Sequence, residues 1–122
     1  MIHSGEMKVE ARRLGPVAVL TPDGSVTIGE SAEIFRVAID AAIDGGARHV
    51  LVEGSRIRYI DSTGMGEMIS ALRRLMPAGG RVGIAAPSPK LRDILEITGL
   101  AAIFVVGDDE GAVLRKLSET KG

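Results

Sequence analysis

Short aliphatic runs alternate with amphipathic helical stripes along the whole chain, and no other feature restricts its fold as strongly. Met7, Val9 and Ala11 alternate with Lys8, Glu10 and Arg12, which predicts a half-exposed strand. After Leu14-Gly15-Pro16 turns the chain, residues 17–20 read as a more buried strand, and Pro22-Asp23-Gly24-Ser25 is expected to break it. Ile34, Phe35, Ala38, Ile39 and Ala42 recur at helical spacing over 31–43, and Gly45-Gly46 stops that helix. Residues 50–52 predict a short buried strand, and Ile57, Tyr59 and Ile60 form a further extended run. Met65, Met68, Ile69, Leu72, Leu75 and Met76 make a second helical stripe, ended by Pro77 and Gly79-Gly80. A strand over 81–86 follows. A helix then opens on the Ser88-Pro89 cap, carries Leu91, Ile94 and Leu95, and closes at Gly99. A last strand over 103–106 leads to a helix ending near 117, with Asp108, Asp109 and Glu110 at its start. Strands alternating with helices predict a single α/β domain. Its sheet should be mixed but mostly parallel, with 4–5 strands, about four helices and an N-terminal β-hairpin. The domain is expected over 7–118, with frayed ends at 1–6 and 119–122.

Composition removes several functions. The chain of 122 residues carries 15 basic and 16 acidic side chains, so it lacks the basic excess that phosphate-backbone binding needs. We therefore expect no nucleic-acid partner. It has no cysteine, which excludes thiolate chemistry and a Cys metal site. His3 and His49 are not spaced as ligands, and no metal or cofactor is expected. No apolar segment opens the chain as a signal peptide would, and no run is long enough to span a membrane. The expectation is a cytoplasmic protein without membrane insertion. Phe35, Phe104 and Tyr59 are the only aromatics, so an interface built on Trp or several Tyr anchors is ruled out.

One stretch could carry chemistry: Ile60-Asp61-Ser62-Thr63-Gly64-Met65-Gly66, where an apolar run meets a hydroxyl pair at the start of a helix. Ser62 or Thr63 can cap that helix, with Asp61 supporting its N-terminus and the glycines allowing close packing. Equally, Ser62 can be an exposed hydroxyl open to a kinase. A phosphate there would add about −1.5 to −2 charges. No nearby His could make Ser62 a nucleophile, and no Walker-type loop is present.

The segment from Ile57 to Gly66 resembles the signature of STAS domains, specifically bacterial anti-sigma-factor antagonists. That signature runs apolar-x-aromatic-apolar-Asp-Ser-Ser/Thr-Gly-apolar-Gly. A second block, Gly79-Gly80-Arg81-Val82 followed by Pro87-Ser88-Pro89 and Thr98-Gly99-Leu100, is similar to the family's later strand, third helix and closing turn. The resemblance implies a non-enzymatic switch with Ser62 as phosphoacceptor. The unphosphorylated form captures an anti-sigma serine kinase and frees a sigma factor; phosphorylation releases the kinase, and a PP2C-type phosphatase resets the cycle. It also implies a monomer or weak dimer. Asp61, Ser62, Thr63, Gly64 and Met65 would face the partner.

The family's Gly-Glu-apolar-Asp loop reads Gly24-Ser25-Val26-Thr27 here, so Gly24 and Ser25 are carried as partner-binding positions with both acids replaced by hydroxyls. Arg56 and Arg58 alternate before the motif and share one face of an extended segment. They are expected either to steer an acidic partner or to fold back on a phosphorylated Ser62, against the alternative of two solvated arginines. Two other functions stay open. One is a STAS interaction subunit with a fixed partner, such as a lipid-transport ATPase or sensory scaffold. The other is a nucleotide-binding module using the loop at 61–66.

Overall fold

The computed structural model describes residues 7–119, so of the expected end segments 1–6 and 119–122 all but Glu119 lie outside the described residues. The strands are β1 (Lys8–Leu14), β2 (Val17–Val26), β3 (His49–Glu53), β4 (Ile57–Ile60), β5 (Val82–Ala85) and β6 (Val105–Gly107). The helices are α1 (Glu30–Asp44), α2 (Ser62–Leu75), α3 (Pro89–Thr98) and α4 (Glu110–Ser118). The main sheet runs β1-β2-β3-β5-β6, with β4 beside the far end of β2. β1 and β2 form the antiparallel hairpin, and every other pairing is parallel. The α/β fold with a mixed, mostly parallel sheet is as the alternation predicts.

Successive residues of the central strands feed opposite faces. On one face Leu20, Val50, Val52, Val82 and Ile84 pack with Phe35 and Ile39 of α1, Met68 and Leu72 of α2, and Leu91 and Leu95 of α3. On the other, Val17, Val19, Leu51 and Ala85 pack with Val113 and Leu117 of α4. Three helices thus cover one face and a single helix the other. α1 and α2 are also joined at the surface, where Arg74 reaches Asp40 at 2.5 Å. Exposed pairs of this kind contribute about 0.2–1 kcal/mol, so the apolar packing dominates.

Pro22-Asp23-Gly24-Ser25 does not break the second strand: β2 continues through it to Val26. The reason is a change of partner. β2 pairs with β3 only from Val17 to Leu20, and with β4 only from Gly24 to Val26. Pro22 pairs with Val9 of β1 but lies between the other two ladders, where its missing N–H costs no bond to β3 or β4. The register slips between Gly24 and Ser25, and Gly24 takes φ +136°, a conformation open to glycine. The predicted last strand also shifts: residues 100–102 form a 3-10 turn, and β6 starts only at Val105. Gly99 at φ +75° reverses the chain, and the turn holds Ile103 through its N–H to the Leu100 carbonyl at 3.1 Å. Of the methionine stripe, Met65 and Met68 are core, but Met76 lies past the end of α2 and is exposed.

His49 is the one buried polar residue among the described residues. Its Nδ1 accepts the Arg81 N–H at 3.0 Å, which requires a neutral imidazole. Burial, helped by the Arg48 and Arg81 charges, holds its pKa below the ordinary 6.5. Below pH 6.5 the unfolded chain takes up a proton that the folded chain refuses, so stability is full above that pH and falls as the pH drops toward the folded value. Urea midpoints should therefore fall between pH 7.5 and 5.5 in the parent protein. A His49→Gln variant should lose most of that slope; an unchanged slope would contradict the assignment.

Candidate functional site

The motif at 61–66 sits where β4 runs out of the sheet into α2. Asp61 is the residue that closes the joint. Its backbone is extended, its Oδ1 accepts the Gly64 N–H at 3.0 Å, and its Oδ2 accepts the Ile28 N–H at 2.8 Å. Its own N–H donates to the Val26 carbonyl at 3.1 Å. Asp61, rather than Ser62 or Thr63, is therefore the N-cap of α2. A carboxylate satisfies two amides that belong to different segments, which one hydroxyl could not do at this spacing.

These bonds, that to Gly64 first and that to Ile28 next, hold the Asp61 pKa below the ordinary carboxylate value of 3.8. Its stabilisation is present above that value and lost as the pH falls through the folded pKa. Asp61→Ala should cost about 1–2 kcal/mol, as lost N-caps do, and should also free the 27–28 turn. Chemical denaturation together with amide exchange at Ile28 checks this; an Ile28 amide as protected as in the parent would contradict it.

With Asp61 capping the helix, Ser62 becomes its first residue. It is exposed, and its hydroxyl is left without a hydrogen-bond partner among the described residues. Thr63 is half-buried, and Gly64 and Met65 are buried beneath it. Gly64 is forced by space: a Cβ there would lie 2.7 Å from Ile60 Cγ1 and 2.8 Å from both Val26 Cγ1 and the Val26 carbonyl oxygen. Gly66 faces open space and has no such constraint.

Ser62 opens onto a groove of about 520 Å³ between α2 and the α3–β6 connection. Tyr59, Met65, Ile69, Ile94, Thr98 and Leu100 line it, and Asp61 at its mouth is its one charge. Tyr59 is 47% exposed, and across the joint Ile28 is 77% exposed. The groove thus offers apolar contacts and a neutral hydroxyl, with no cation among its lining residues.

The remaining site residues predicted from sequence fall elsewhere. Gly24 and Ser25 pair with Ile57 and Tyr59 inside the β2–β4 ladder, and the segment ends on half-buried Thr27 and exposed Ile28. Arg56 and Arg58 both turn to Asp23, each at 3.7 Å, and neither lines the groove beside Ser62. Sequence reading missed Ile28, Tyr59, Ile94, Thr98 and Leu100. Thr98 and Leu100 stand within the second matched block, but nothing in their spacing shows that α3 ends beside α2.

Comparison with known proteins now places the chain. Residues 8–113 match the model of the STAS domain family. This chain belongs to the STAS domain family. An anti-sigma F factor antagonist from Lysinibacillus sphaericus is 30% identical to this STAS domain over 88 residues, covering 70% of this chain and 74% of the relative. In structure it is similar to an anti-sigma factor antagonist from Mycobacterium paratuberculosis, with a TM-score of 0.82, 18% identity and coverage of 98% and 100% of the two chains. The unphosphorylated anti-sigma factor antagonist SpoIIAA superposes with a TM-score of 0.74 at 24% identity, over 93% of this chain and 100% of that one; a structure of SpoIIAA from Bacillus in its phosphorylated form matches the same fold at 0.69 and 22%, over 89% and 99%. Among the described residues of this STAS domain no helix is long and apolar enough to cross a membrane, and no group of three or more His, Asp or Glu is placed to hold a metal.

Proposed function

We propose that this STAS domain is an anti-sigma-factor antagonist that works by binding rather than catalysis. It captures an anti-sigma serine kinase while Ser62 is neutral, and phosphorylation of Ser62 ends the contact. A PP2C-type phosphatase restores it. The observation that carries this reading is the free, exposed Ser62 hydroxyl, whose capping duty Asp61 has taken over.

The electrostatics support release rather than internal capture of the phosphate. The Gly64 and Ile28 amides, which would otherwise receive an anion, already bond the Asp61 carboxylate. Arg56 and Arg58 are engaged with Asp23. A dianion on Ser62 would stand beside a carboxylate and an apolar groove, so its charge falls on whatever is docked there. The curated relative and the structural neighbours named above are anti-sigma factor antagonists, and SpoIIAA has a phosphorylated form.

The test is direct. Incubate the protein with ATP and the serine kinases of its own organism, then map added phosphate by mass spectrometry. A single phosphate on Ser62 is expected. Stable co-purification with a transporter ATPase and no phosphate would favour a fixed-partner subunit instead.

A further inference from the structure

A second groove, of about 580 Å³, lies along the C-terminal half of α2. Its floor is Ile69, Leu72, Met76 and Ile103 together with the backbone of Gly79-Gly80, and its polar side chains are Arg73 and Arg81. Met76 is 58% exposed and Ile103 37% exposed, so apolar surface here is left to water. Ile69 lines this groove and the one at Ser62, making them neighbours along a single helix.

Among the described residues the two arginines have no carboxylate partner, unlike their neighbours on the α1–α2 surface. The adjacent Arg74 is held by Asp40 and Asp44, and Arg36 by Glu33 and Asp40. No carboxylate lies within ion-pair distance of Arg73 or Arg81 among the described residues. Arg48 adds to the positive field, since its charge and that of Arg81 both act on His49. A chain of net charge −1 thus concentrates uncompensated guanidinium groups at the rim of an apolar groove. The volume is within the range of about 300–1,000 Å³ typical of small-ligand sites.

We propose that this groove binds an amphiphilic carboxylate of medium chain length. The carboxylate would accept hydrogen bonds from the Arg73 and Arg81 guanidiniums, a geometry suited to bidentate pairing. The alkyl chain would cover Leu72, Met76 and Ile103 and run toward Ile69. An uncharged chain would satisfy the floor alone, and a small inorganic anion the rim alone; only a molecule with both parts matches the site. This site does not depend on the phosphorylation switch.

Decanoate, kept below its micelle concentration, is the probe. Calorimetric titration of the full 122-residue chain should give one saturable site, with amide shifts in the NMR spectrum centred on Ile69, Gly79, Gly80 and Ile103. Arg73→Glu combined with Arg81→Glu should weaken binding at least about tenfold, and decanol should bind at least about tenfold more weakly than decanoate, as expected on losing charge-assisted bonds. Arg73 is exposed and Arg81 half-buried, and an unchanged urea midpoint confirms that the double variant is folded. The absence of saturable binding would overturn the proposal. So would affinity equal in the double variant, or equal for decanol.

Discussion

Ser62→Asp is expected to weaken binding to the anti-sigma kinase about a hundredfold, roughly 2.8 kcal/mol, while Ser62→Ala holds the kinase and no longer responds to ATP. The size of the effect follows from the surroundings. The groove beside Ser62 is lined by Tyr59, Met65, Ile69, Ile94 and Leu100, and a partner seated there removes water from the hydroxyl. A neutral serine tolerates that with one hydrogen bond, whereas a carboxylate in the same contact loses its hydration and meets no cation among the groove's lining residues. Asp61 adds repulsion next door, because it stays ionised well below neutral pH. Ser62→Ala removes only a hydroxyl that bonds nothing among the described residues, so folding should be unaffected. A pull-down in which both variants bind equally would remove Ser62 from the switch.

The second large effect concerns the joint that presents Ser62. Gly64→Ala should destabilise the fold by about 1–3 kcal/mol, because its Cβ would press on the Val26 carbonyl, which cannot rotate away, as well as on Ile60 and Val26 side-chain carbons. The relief available is to push α2 off the end of β2, which would also stretch the Asp61 bonds to Ile28 and Gly64. Partner affinity should therefore fall along with stability. Gly66→Ala is the internal control. It sits in the same helical turn with open space around it, and replacing a helical glycine there should be neutral or stabilising by about 0.5–1 kcal/mol. Urea unfolding of the two variants decides the matter. Equal midpoints would show that neither glycine is needed for close packing.

The alternation of runs and stripes was sufficient for the fold, because burial on both faces of a parallel sheet leaves such regular apolar patterns. It was insufficient at Pro22, which reads as a break in any single-strand pattern. Only the handover of β2 from β3 to β4 makes the proline harmless, and pairing between distant strands has no local signature. The site shows the same division. Asp-Ser-Thr-Gly was legible as a helix start, but which of three capable side chains caps the helix depended on the Ile28 amide, 33 residues away. Once that amide is in place a carboxylate with two oxygens outcompetes either hydroxyl, and Ser62 is released for other use. Arg56 and Arg58 were legible as a pair sharing a face. Their attachment to Asp23 follows from the β2–β4 register, which brings Gly24 opposite Ile57. The groove walls, Tyr59 from β4 and Leu100 from the turn after α3, come from segments with no common pattern.

The central claim is that one phosphate on Ser62 decides whether the partner stays bound. The measurement that tests it most directly is the affinity of the cognate anti-sigma kinase for this protein before and after stoichiometric phosphorylation of Ser62, by calorimetry at one salt concentration. The account predicts a loss of about a hundredfold on phosphorylation. Equal affinity for the two forms would contradict it.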